Sequence, residues 1–341
     1  MVVTALVYSE PSGAGLHPFD PRHHMRGVAE LVGSVFAEEM DARGRSMMRE
    51  MKVVSQVSPL LGGLLSMGFF EDFVSGFVWV EDGQVVGNVT LQCGDAMGSR
   101  WRISNVAVAP KYRGQGIAGQ LMMASLREVA ERGGSWVILQ VRTDNPAAYG
   151  LYQRLGFTDV CRDGTWRLPV QPAPAPDLPP GTDLQRLQPT AWRPRLDLAQ
   201  ASRPELAGWL GALREADYRI DWGAWLAEAL GKSVGLREVD RWGVVQDGEL
   251  LGAVETWASR LEGTHRLRFD VRPAARGKIE AALVARGLRS LAPALQRPVV
   301  VEHSGDHLEG VAALEAAGFR AQRVLLTMRR AIIPADRRID V

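Results

Sequence analysis

The residues best suited to chemistry lie in one stretch, VAVAPKYRGQGIA, which runs from Val106 to Ala118. An alternating apolar pattern typical of a strand passes here into a helical pattern through two glycines. Such a junction exposes unpaired backbone N–H groups at the positive end of the helix dipole, where a pyrophosphate can bind. The glycines allow close approach to the main chain, and Arg113 adds a positive charge. The alternative is an ordinary tight connection without a ligand.

The stretch differs from two well-known nucleotide-binding loops. No Gly-Lys-Ser/Thr triplet follows, so it is not a Walker loop, and its glycine spacing is not that of a dinucleotide fingerprint. The residues therefore indicate an anion site without specifying the anion.

A second motif, NPAAYGLYQRLGF, runs from Asn145 to Phe157, and its proline suits the first turn of a short helix. Together the two motifs resemble the GCN5-related N-acetyltransferase (GNAT) superfamily. The first resembles its Arg/Gln-x-x-Gly-x-Gly/Ala loop, and the second its Asn-x-x-Ala-x-x-Leu-Tyr-x-x-x-Gly-Phe pattern. The matching residues are Arg113, Gly116, Ala118, Asn145, Ala148, Leu151, Tyr152, Gly156 and Phe157.

The resemblance implies a site for acetyl-CoA. In this family the strand before the loop and the strand after the following helix splay apart, and the pantetheine arm lies between them. Backbone groups of Val106 and Val108, which flank Ala107, would pair with that arm, and a nearby N–H would polarise the thioester carbonyl. The pyrophosphate would bind at Arg113, Gly114, Gln115, Gly116, Ile117 and Ala118.

The resemblance also implies roles for two residues of the second motif. Asn145 would hydrogen-bond acetyl-CoA near its arm, and Tyr152 would act as general acid toward the departing thiolate. The alternative for Tyr152 is a structural tyrosine at the edge of the core. The strand before the loop has no acid, so the general base is either a water chain or one of Glu38, Glu39, Asp41, Glu71 and Asp72.

Hydrophobic periodicity predicts the elements that position these residues. In the first half we expect helices over 26–40, 45–54, 115–132 and 146–155, and strands that flank Asp82-Gly83 and cover 102–109, 135–141 and 165–168. Gly133 should end the long helix. A hairpin followed by β-α-β-α-β is typical of an α/β fold with a mixed sheet covered by helices.

The second half repeats the first in order. WVEDGQVVGNV from Trp79 resembles VVQDGELLGAV from Val244, 165 residues later. Each contains an Asp-Gly pair typical of a type I′ hairpin turn. Further matches follow at offsets of 163 and 162, so we interpret the chain as two tandem acyl-CoA N-acyltransferase (GNAT) folds. Two α/β domains that share turn signals by chance are the alternative.

The second copy has lost the residues that carry chemistry. Its loop, Arg276-Gly-Lys-Ile-Glu280, is one residue shorter, so Glu280 stands where the first copy has Ala118. A carboxylate there would repel a pyrophosphate. Leu314 replaces Tyr152 and His307 replaces Asn145, while His303 and His307 lack acidic partners at metal-ligand spacing. We expect a degenerate copy and no metal site.

A proline-rich segment, QPAPAPDLPPG, sets the expected domain boundaries. We predict a catalytic domain over 1–170, a linker over 171–181, a degenerate domain over 182–330 and a tail over 331–341.

Charge and composition exclude several classes. Forty Lys plus Arg against 39 Asp plus Glu leaves no strong positive field, which argues against a nucleic-acid partner. Two cysteines, without a signal-peptide pattern, favour a cytoplasmic location. The uncharged run over 53–70 contains proline and a glycine pair, so we expect a buried element, an acceptor pocket or a homodimer surface rather than a membrane span.

The expected function is transfer of an acetyl group from acetyl-CoA to a primary amine, of a small molecule or a protein, by direct attack. A non-catalytic acyl-CoA sensor or scaffold is the alternative, and a longer acyl donor is a third possibility.

We predict that acetyl-CoA binds once per chain, because the loop, Asn145 and Tyr152 occur together only in the first half. Calorimetry should give a stoichiometry of one. Two equivalent sites per chain would contradict this prediction.

Overall fold

The computed structural model describes residues 13–36, 75–95, 97–170, 183–203, 213, 215–219, 237–259, 263–292 and 297–333. Their contacts group the chain into two compact units. The first comprises Met1–Gln140, Gly150–Thr158 and Met328–Val341, and the second comprises Val141–Tyr149 and Asp159–Thr327. Both units are mixed α/β, as the sequence predicts.

The first half of the chain contains six strands and three α-helices among its described residues. They are β1 (Gly15–Pro18), α1 (Pro21–Val35), β2 (Ser75–Glu81), β3 (Gln84–Cys93), β4 (Arg100–Val108), α2 (Ile117–Glu131), β5 (Trp136–Arg142), α3 (Pro146–Arg154) and β6 (Thr158–Leu168). In the first unit the sheet order is β1-β2-β3-β4-β5. Neighbouring strands are antiparallel except β4 and β5, which are parallel.

The second half repeats this order. Its elements are β7 (Gln185–Arg186), α4 (Trp192–Ser202), β8 (Arg237–Gln246), β9 (Glu249–Ser259), β10 (His265–Val271), α5 (Glu280–Leu291), β11 (Val299–Ser304), α6 (Leu308–Ala316) and β12 (Arg320–Ala331). Here β10 and β11 form the parallel pair, as β4 and β5 do in the first unit.

The two hairpin turns confirm the type I′ prediction, which requires positive φ at both central residues. Asp82 and Gly83 have φ of 49° and 72°, and Asp247 and Gly248 have φ of 53° and 81°. Each hairpin also has a shift in strand register at the equivalent place, between Trp79 and Val80 in the first and between Val244 and Val245 in the second. The duplication therefore extends to backbone irregularities.

The helix predicted over 115–132 forms as α2 with its apolar face in the core. Leu121, Met122, Leu126 and Val129 are buried, and Gly133 follows the helix with φ of 78°. The first helix lies earlier than predicted, because Asp20 caps it by accepting from the backbone N–H of Arg22.

Several expectations fall on residues outside the described ranges: the helix over 45–54, the run over 53–70 and the linker over 171–181. Among the described residues, no helix has the length and apolar character that a membrane crossing requires.

The last strand of the first half is β6, which has most of its residues in the second unit. Within the second unit β6 pairs with β11, from Val299 opposite Leu168 to Ser304 opposite Asp163, and Trp166 is buried in that unit's core. The predicted boundary after residue 170 assigns this strand to the first domain, whereas the contacts assign Asp159 onward to the second unit. The domain boundaries themselves stay a prediction.

The end of β12 belongs to the first unit. The Ile332 N–H donates to the carbonyl of Ser135 (2.9 Å), and the Thr158 hydroxyl donates to the carbonyl of Arg329 (3.3 Å). The Arg329 guanidinium lies 5.0 Å from the ring centre of Trp136. The first unit is therefore completed by residues about 200 positions after its own strands.

We predict that a chain ending at Thr327 loses stability in its first unit. Removal of the fully buried Met328 side chain alone should cost about 2–5 kcal/mol. Thermal unfolding should show the loss, with a chain ending at Ile333 as matched control. Equal melting temperatures for the two shortened chains would contradict the prediction.

Candidate functional site

The candidate site begins where β4 and β5 separate. Their parallel pairing runs from Arg100 opposite Trp136 to Arg102 opposite Ile138, although β4 continues to Val108. Val106, Ala107 and Val108 lie beyond these pairs, with Ala107 buried and its two neighbours half-buried. The splay implied by the family resemblance is therefore present, and one edge of β4 has backbone groups available to an extended ligand.

β4 leads directly into the glycine loop. A 3-10 turn over Pro110–Tyr112 is followed by an exposed segment that comprises Arg113, Gly114, Gln115 and Gly116. Gly114 and Gly116 have φ of 80° and 82°, values that glycine adopts without strain. Their type is therefore required by the backbone path and not only by ligand access.

Helix α2 begins at Ile117 with Gly116 as its N-cap, and no side chain caps it. Its first-turn N–H groups therefore have no side-chain acceptor and follow directly on an exposed loop, an arrangement suited to anions. Ile117 is buried and Ala118 half-buried. A Cβ atom at Gly87 would lie 3.0 Å from Ile117 Cγ2, so this glycine in β3 lets the start of the helix approach the sheet.

Arg113 is positioned by a hydrogen bond within the loop. Its Nε donates to the carbonyl of Val108 (3.1 Å), and the residue is exposed. The bond holds the guanidinium at the end of β4, in the loop that leads to α2.

Asn145 lies at the N-terminus of α3. Its Oδ1 accepts from the backbone N–H of Ala148 (3.1 Å), which is the geometry of a helix cap. The structure thus gives this exposed residue a capping role, and its contact with acetyl-CoA stays a prediction.

Tyr152 is buried on α3, with its ring 6.0 Å from that of Phe157. Burial raises the pKa of Tyr152 to about 12, so its hydroxyl keeps its proton at neutral pH. The preceding Leu151 lies 3.9 Å from where a Cβ atom of Gly119 would be, which places α3 against the first turn of α2. Tyr149 has a different partner, because its hydroxyl donates to Asp159 (3.3 Å).

The second unit repeats the splay, and the N-cap of α5, Ile279, likewise has no side-chain cap, but its loop differs. Its β10–β11 pairing runs from His265 opposite Val299 to Leu267 opposite Val301. The Glu280 carboxylate then accepts from the N–H groups of Gly277 (2.8 Å) and Ile279 (3.1 Å). A carboxylate of the chain itself thus takes the N–H groups that a phosphate would need.

Packing supports the alignment that places Glu280 at the position of Ala118. A Cβ atom at Gly252 would meet Ile279 Cδ1 (2.6 Å), just as one at Gly87 would meet Ile117. Ile279 therefore corresponds to Ile117, and Glu280 to the residue after it.

Two histidines connect Glu280 to the strands β10 and β11 of the second unit. His307 Nε2 lies 3.0 Å from Glu280 Oε1, and His307 Nδ1 lies 3.0 Å from His303 Nε2. The His303 ring stacks on Phe269 at 4.2 Å. The sequence analysis missed Glu280 as a partner of His307, because the two residues lie 27 positions apart. No group of three metal-ligating side chains occurs among the described residues.

Sequence reasoning also missed a polar cluster at the splay of the first unit, formed by Asn88, Thr90 and Asn105. An asparagine within the apolar stretch VVGNVTL was the available signal. The acids considered as general base, Glu38, Glu39, Asp41, Glu71 and Asp72, lie outside the described residues. The base therefore stays open.

A known family model matches part of the chain. Residues 52–157 match the model of the acetyltransferase (GNAT) family. N-alpha-acetyltransferase 30 of Schizosaccharomyces pombe is 37% identical over 83 residues, which cover 24% of this chain and 55% of that protein. Mycothiol acetyltransferase of Thermobispora bispora is 33% identical over 139 residues, which cover 38% of this chain and 46% of that protein. The matched regions span about half of each relative.

Solved structures show the same fold over nearly the whole chain. A GCN5-related N-acetyltransferase from Sphaerobacter thermophilus superposes with a TM-score of 0.59, at 16% identity, over 96% of this chain and 98% of that one. A tandem GNAT protein from the clavulanic acid biosynthesis pathway superposes with a TM-score of 0.53, at 16% identity, over 94% of this chain and 99% of that one. The prediction of two tandem GNAT folds is confirmed.

His303 generates a pH prediction. Burial lowers its pKa to about 3, so the native protein keeps it neutral while the unfolded chain titrates near pH 6.5. Between pH 7 and pH 5 the unfolded state binds a proton that the native state does not, and stability should fall by up to about 2 kcal/mol. A His303→Asn variant should lose less stability over this interval in urea unfolding. Equal losses in both proteins would contradict the assignment.

Proposed function

We propose that this chain, a GNAT-family protein with its family domain over residues 52–157, transfers an acetyl group from acetyl-CoA to a primary amine. The observation that carries the proposal is the splay of β4 from β5 at a strand that leads into an uncapped helix. The splay offers backbone groups to an extended arm, and the helix terminus offers N–H groups to a pyrophosphate. One ligand with both parts fits both features.

The fit to acetyl-CoA is supported by the contrast between the two units. In the first, the N-cap of α2 has no side-chain cap, and Arg113 is exposed in the loop that precedes it. In the second, Glu280 takes the corresponding groups. A dianionic pyrophosphate suits only the first arrangement, since a buried carboxylate would oppose it. We therefore assign binding to Arg113–Ala118 and expect one site per chain.

The reaction we propose is direct attack. The amine nitrogen forms a bond to the thioester carbon, the carbon–sulfur bond breaks, and the proton lost by the amine balances the thiolate that leaves. Binding at the loop and along β4 would hold the thioester in place, so that the attack becomes effectively unimolecular. Backbone N–H groups of β4 beyond the paired segment would stabilise charge that develops on the carbonyl oxygen.

Tyr152 is the residue we assign to the leaving thiolate. A phenol whose pKa is about 12 is a weaker acid than an ordinary thiol, whose pKa is about 8.5. Complete proton transfer from Tyr152 is therefore uphill, and its contribution is a hydrogen bond to the developing thiolate. The thiolate then takes up a proton equivalent to the one that the attacking amine loses, which gives the free thiol of coenzyme A.

The acceptor is assigned only by class. The relatives' names include an N-alpha-acetyltransferase, a mycothiol acetyltransferase and a [ribosomal protein bS18]-alanine N-acetyltransferase from Escherichia coli. These names cover protein and small-molecule acceptors, and both stay within the proposal.

A screen of amines for coenzyme A release tests the proposal. The purified protein is mixed with acetyl-CoA and single amines, from polyamines and amino sugars to peptides with free N-termini, and free thiol is measured. Amine-dependent release supports the enzyme. Tight binding of acetyl-CoA without release for any amine would favour the alternative, an acyl-CoA sensor or scaffold.

We predict that Tyr152→Phe lowers kcat by about 10²-fold or more, with little change in the Kd for acetyl-CoA, because the hydroxyl donates its hydrogen bond only as the thiolate forms. Steady-state kinetics and calorimetry give the two quantities. Tyr149→Phe is the matched control, since the Tyr149 hydroxyl donates to Asp159, and it should retain turnover. Unchanged turnover in Tyr152→Phe would assign Tyr152 to the core alone.

A further inference from the structure

Asn105 has a backbone conformation that its position in a strand does not explain. Among the described residues, three that are not glycine have positive φ: Asp82, Asn105 and Asp247. The two aspartates occupy equivalent hairpin turns. Asn105 lies within β4, with φ of 52°, beside the splay. Such outliers cluster at functional sites.

The conformation belongs to a β-bulge. Thr90 pairs with Ser104 and Asn88 pairs with Ala107, so the two residues Asn105 and Val106 stand opposite the single residue between the β3 partners. A residue with positive φ in the first bulge position, facing one residue on the neighbouring strand, is a known bulge type.

The second unit has no bulge at this place. Its β9–β10 register runs without a shift, and Glu255 pairs with Arg268 while Ala253 pairs with Asp270. β10 therefore carries one residue, Phe269, where β4 carries two. The hairpin bulge recurs in both units, so the fold forms without the bulge at Asn105. The bulge is kept in the unit whose loop is open.

Asn88 holds the bulge through its side chain. Its Nδ2 donates to the carbonyl of Asn105 at 2.9 Å, and the residue is 2% exposed. The Asn105 side chain donates in turn to the Thr90 hydroxyl at 3.3 Å. In the second unit Ala253 stands at the position of Asn88, and its side chain has no amide group to donate. The amide donor and the bulge are thus present together in one unit and absent together in the other.

We propose that Asn88 is a positioning residue for acetyl transfer, an inference that rests on the proposed function. In a trans peptide the carbonyl and the following N–H point in opposite directions. Because Asn88 holds the carbonyl of Asn105 toward β3, the N–H of Val106 is directed away from β3, to the open side of β4. There it donates to the thioester carbonyl of bound acetyl-CoA. Asn88 itself does not touch the substrate.

The test follows the thioester carbonyl directly. Acetyl-CoA labelled with ¹³C at the acetyl carbonyl is bound to the full chain, and its stretching band is measured by isotope-edited infrared spectroscopy. A hydrogen bond from Val106 lowers the frequency relative to free acetyl-CoA. Asn88→Ala should return the band toward the free value, keep the Kd for coenzyme A, and lower kcat with an accepted amine by about 10-fold or more.

Two further variants complete the experiment. Asn88→Leu has nearly the same shape as asparagine and cannot donate, so it should repeat the effect if Asn88→Ala folds poorly. Thr90→Val removes the hydroxyl that accepts from the side chains of Asn105 (3.3 Å) and Asn88 (3.5 Å) but leaves the bond from Asn88 to the Asn105 carbonyl, so it should keep the band of the wild type. Thermal unfolding checks that each variant is folded.

The outcomes separate the two proposals. If both Asn88 variants keep the band frequency and the kcat of the wild type, the role of Asn88 is overturned and the proposed function stays intact. Failure of the wild type to bind acetyl-CoA would overturn the proposed function and this inference together.

Discussion

The backbone N–H groups of a loop between a strand and the following helix must find an acceptor, and the two units meet this constraint differently. Neither α2 nor α5 has a side-chain cap on its N-cap residue, but the Glu280 carboxylate accepts from the N–H groups of Gly277 and Ile279, just before α5. The first unit has Ala118 at this position, which carries no carboxylate, so its loop keeps room for an external anion. The second loop glycine, Gly116, and the bulge at Asn105 likewise occur in the first unit and have no counterpart in the second.

The duplication separates what the fold needs from what the site needs. Both units keep the type I′ hairpin, its register shift, and the glycine after the short helix, with φ of 81° at Gly156 and 88° at Gly318. Only the first unit has the second loop glycine and the bulge at Asn105. Because a complete α/β core forms without those two features, folding alone does not account for them.

The motifs and hairpins could be predicted from sequence because they depend on local backbone requirements. Asp82-Gly83 adopts the turn that its residue types favour, and Gly133 ends α2 for the same reason. The hydrogen bond from Asn88 to Asn105 joins residues on different strands, and the bond between His307 and Glu280 joins the N-termini of two helices, α6 and α5. Such pairings depend on register and packing, which hydrophobic periodicity does not contain. For the same reason, periodicity could not show that β6 pairs with β11.

In the second unit, side-chain contacts continue from Glu280, at the start of α5, to the sheet. Phe269 stands where β4 has its bulge, His303 stacks on Phe269, and His307 links His303 to Glu280. These side chains form a connected path from β10 to the start of α5, along the splay and up to the N–H groups. In the first unit the corresponding path is where we place the arm and the pyrophosphate of acetyl-CoA. In the second unit, therefore, packed rings and a hydrogen-bonded carboxylate lie where our proposal places an external ligand in the first, and Glu280 accepts from backbone N–H groups that would otherwise need another acceptor.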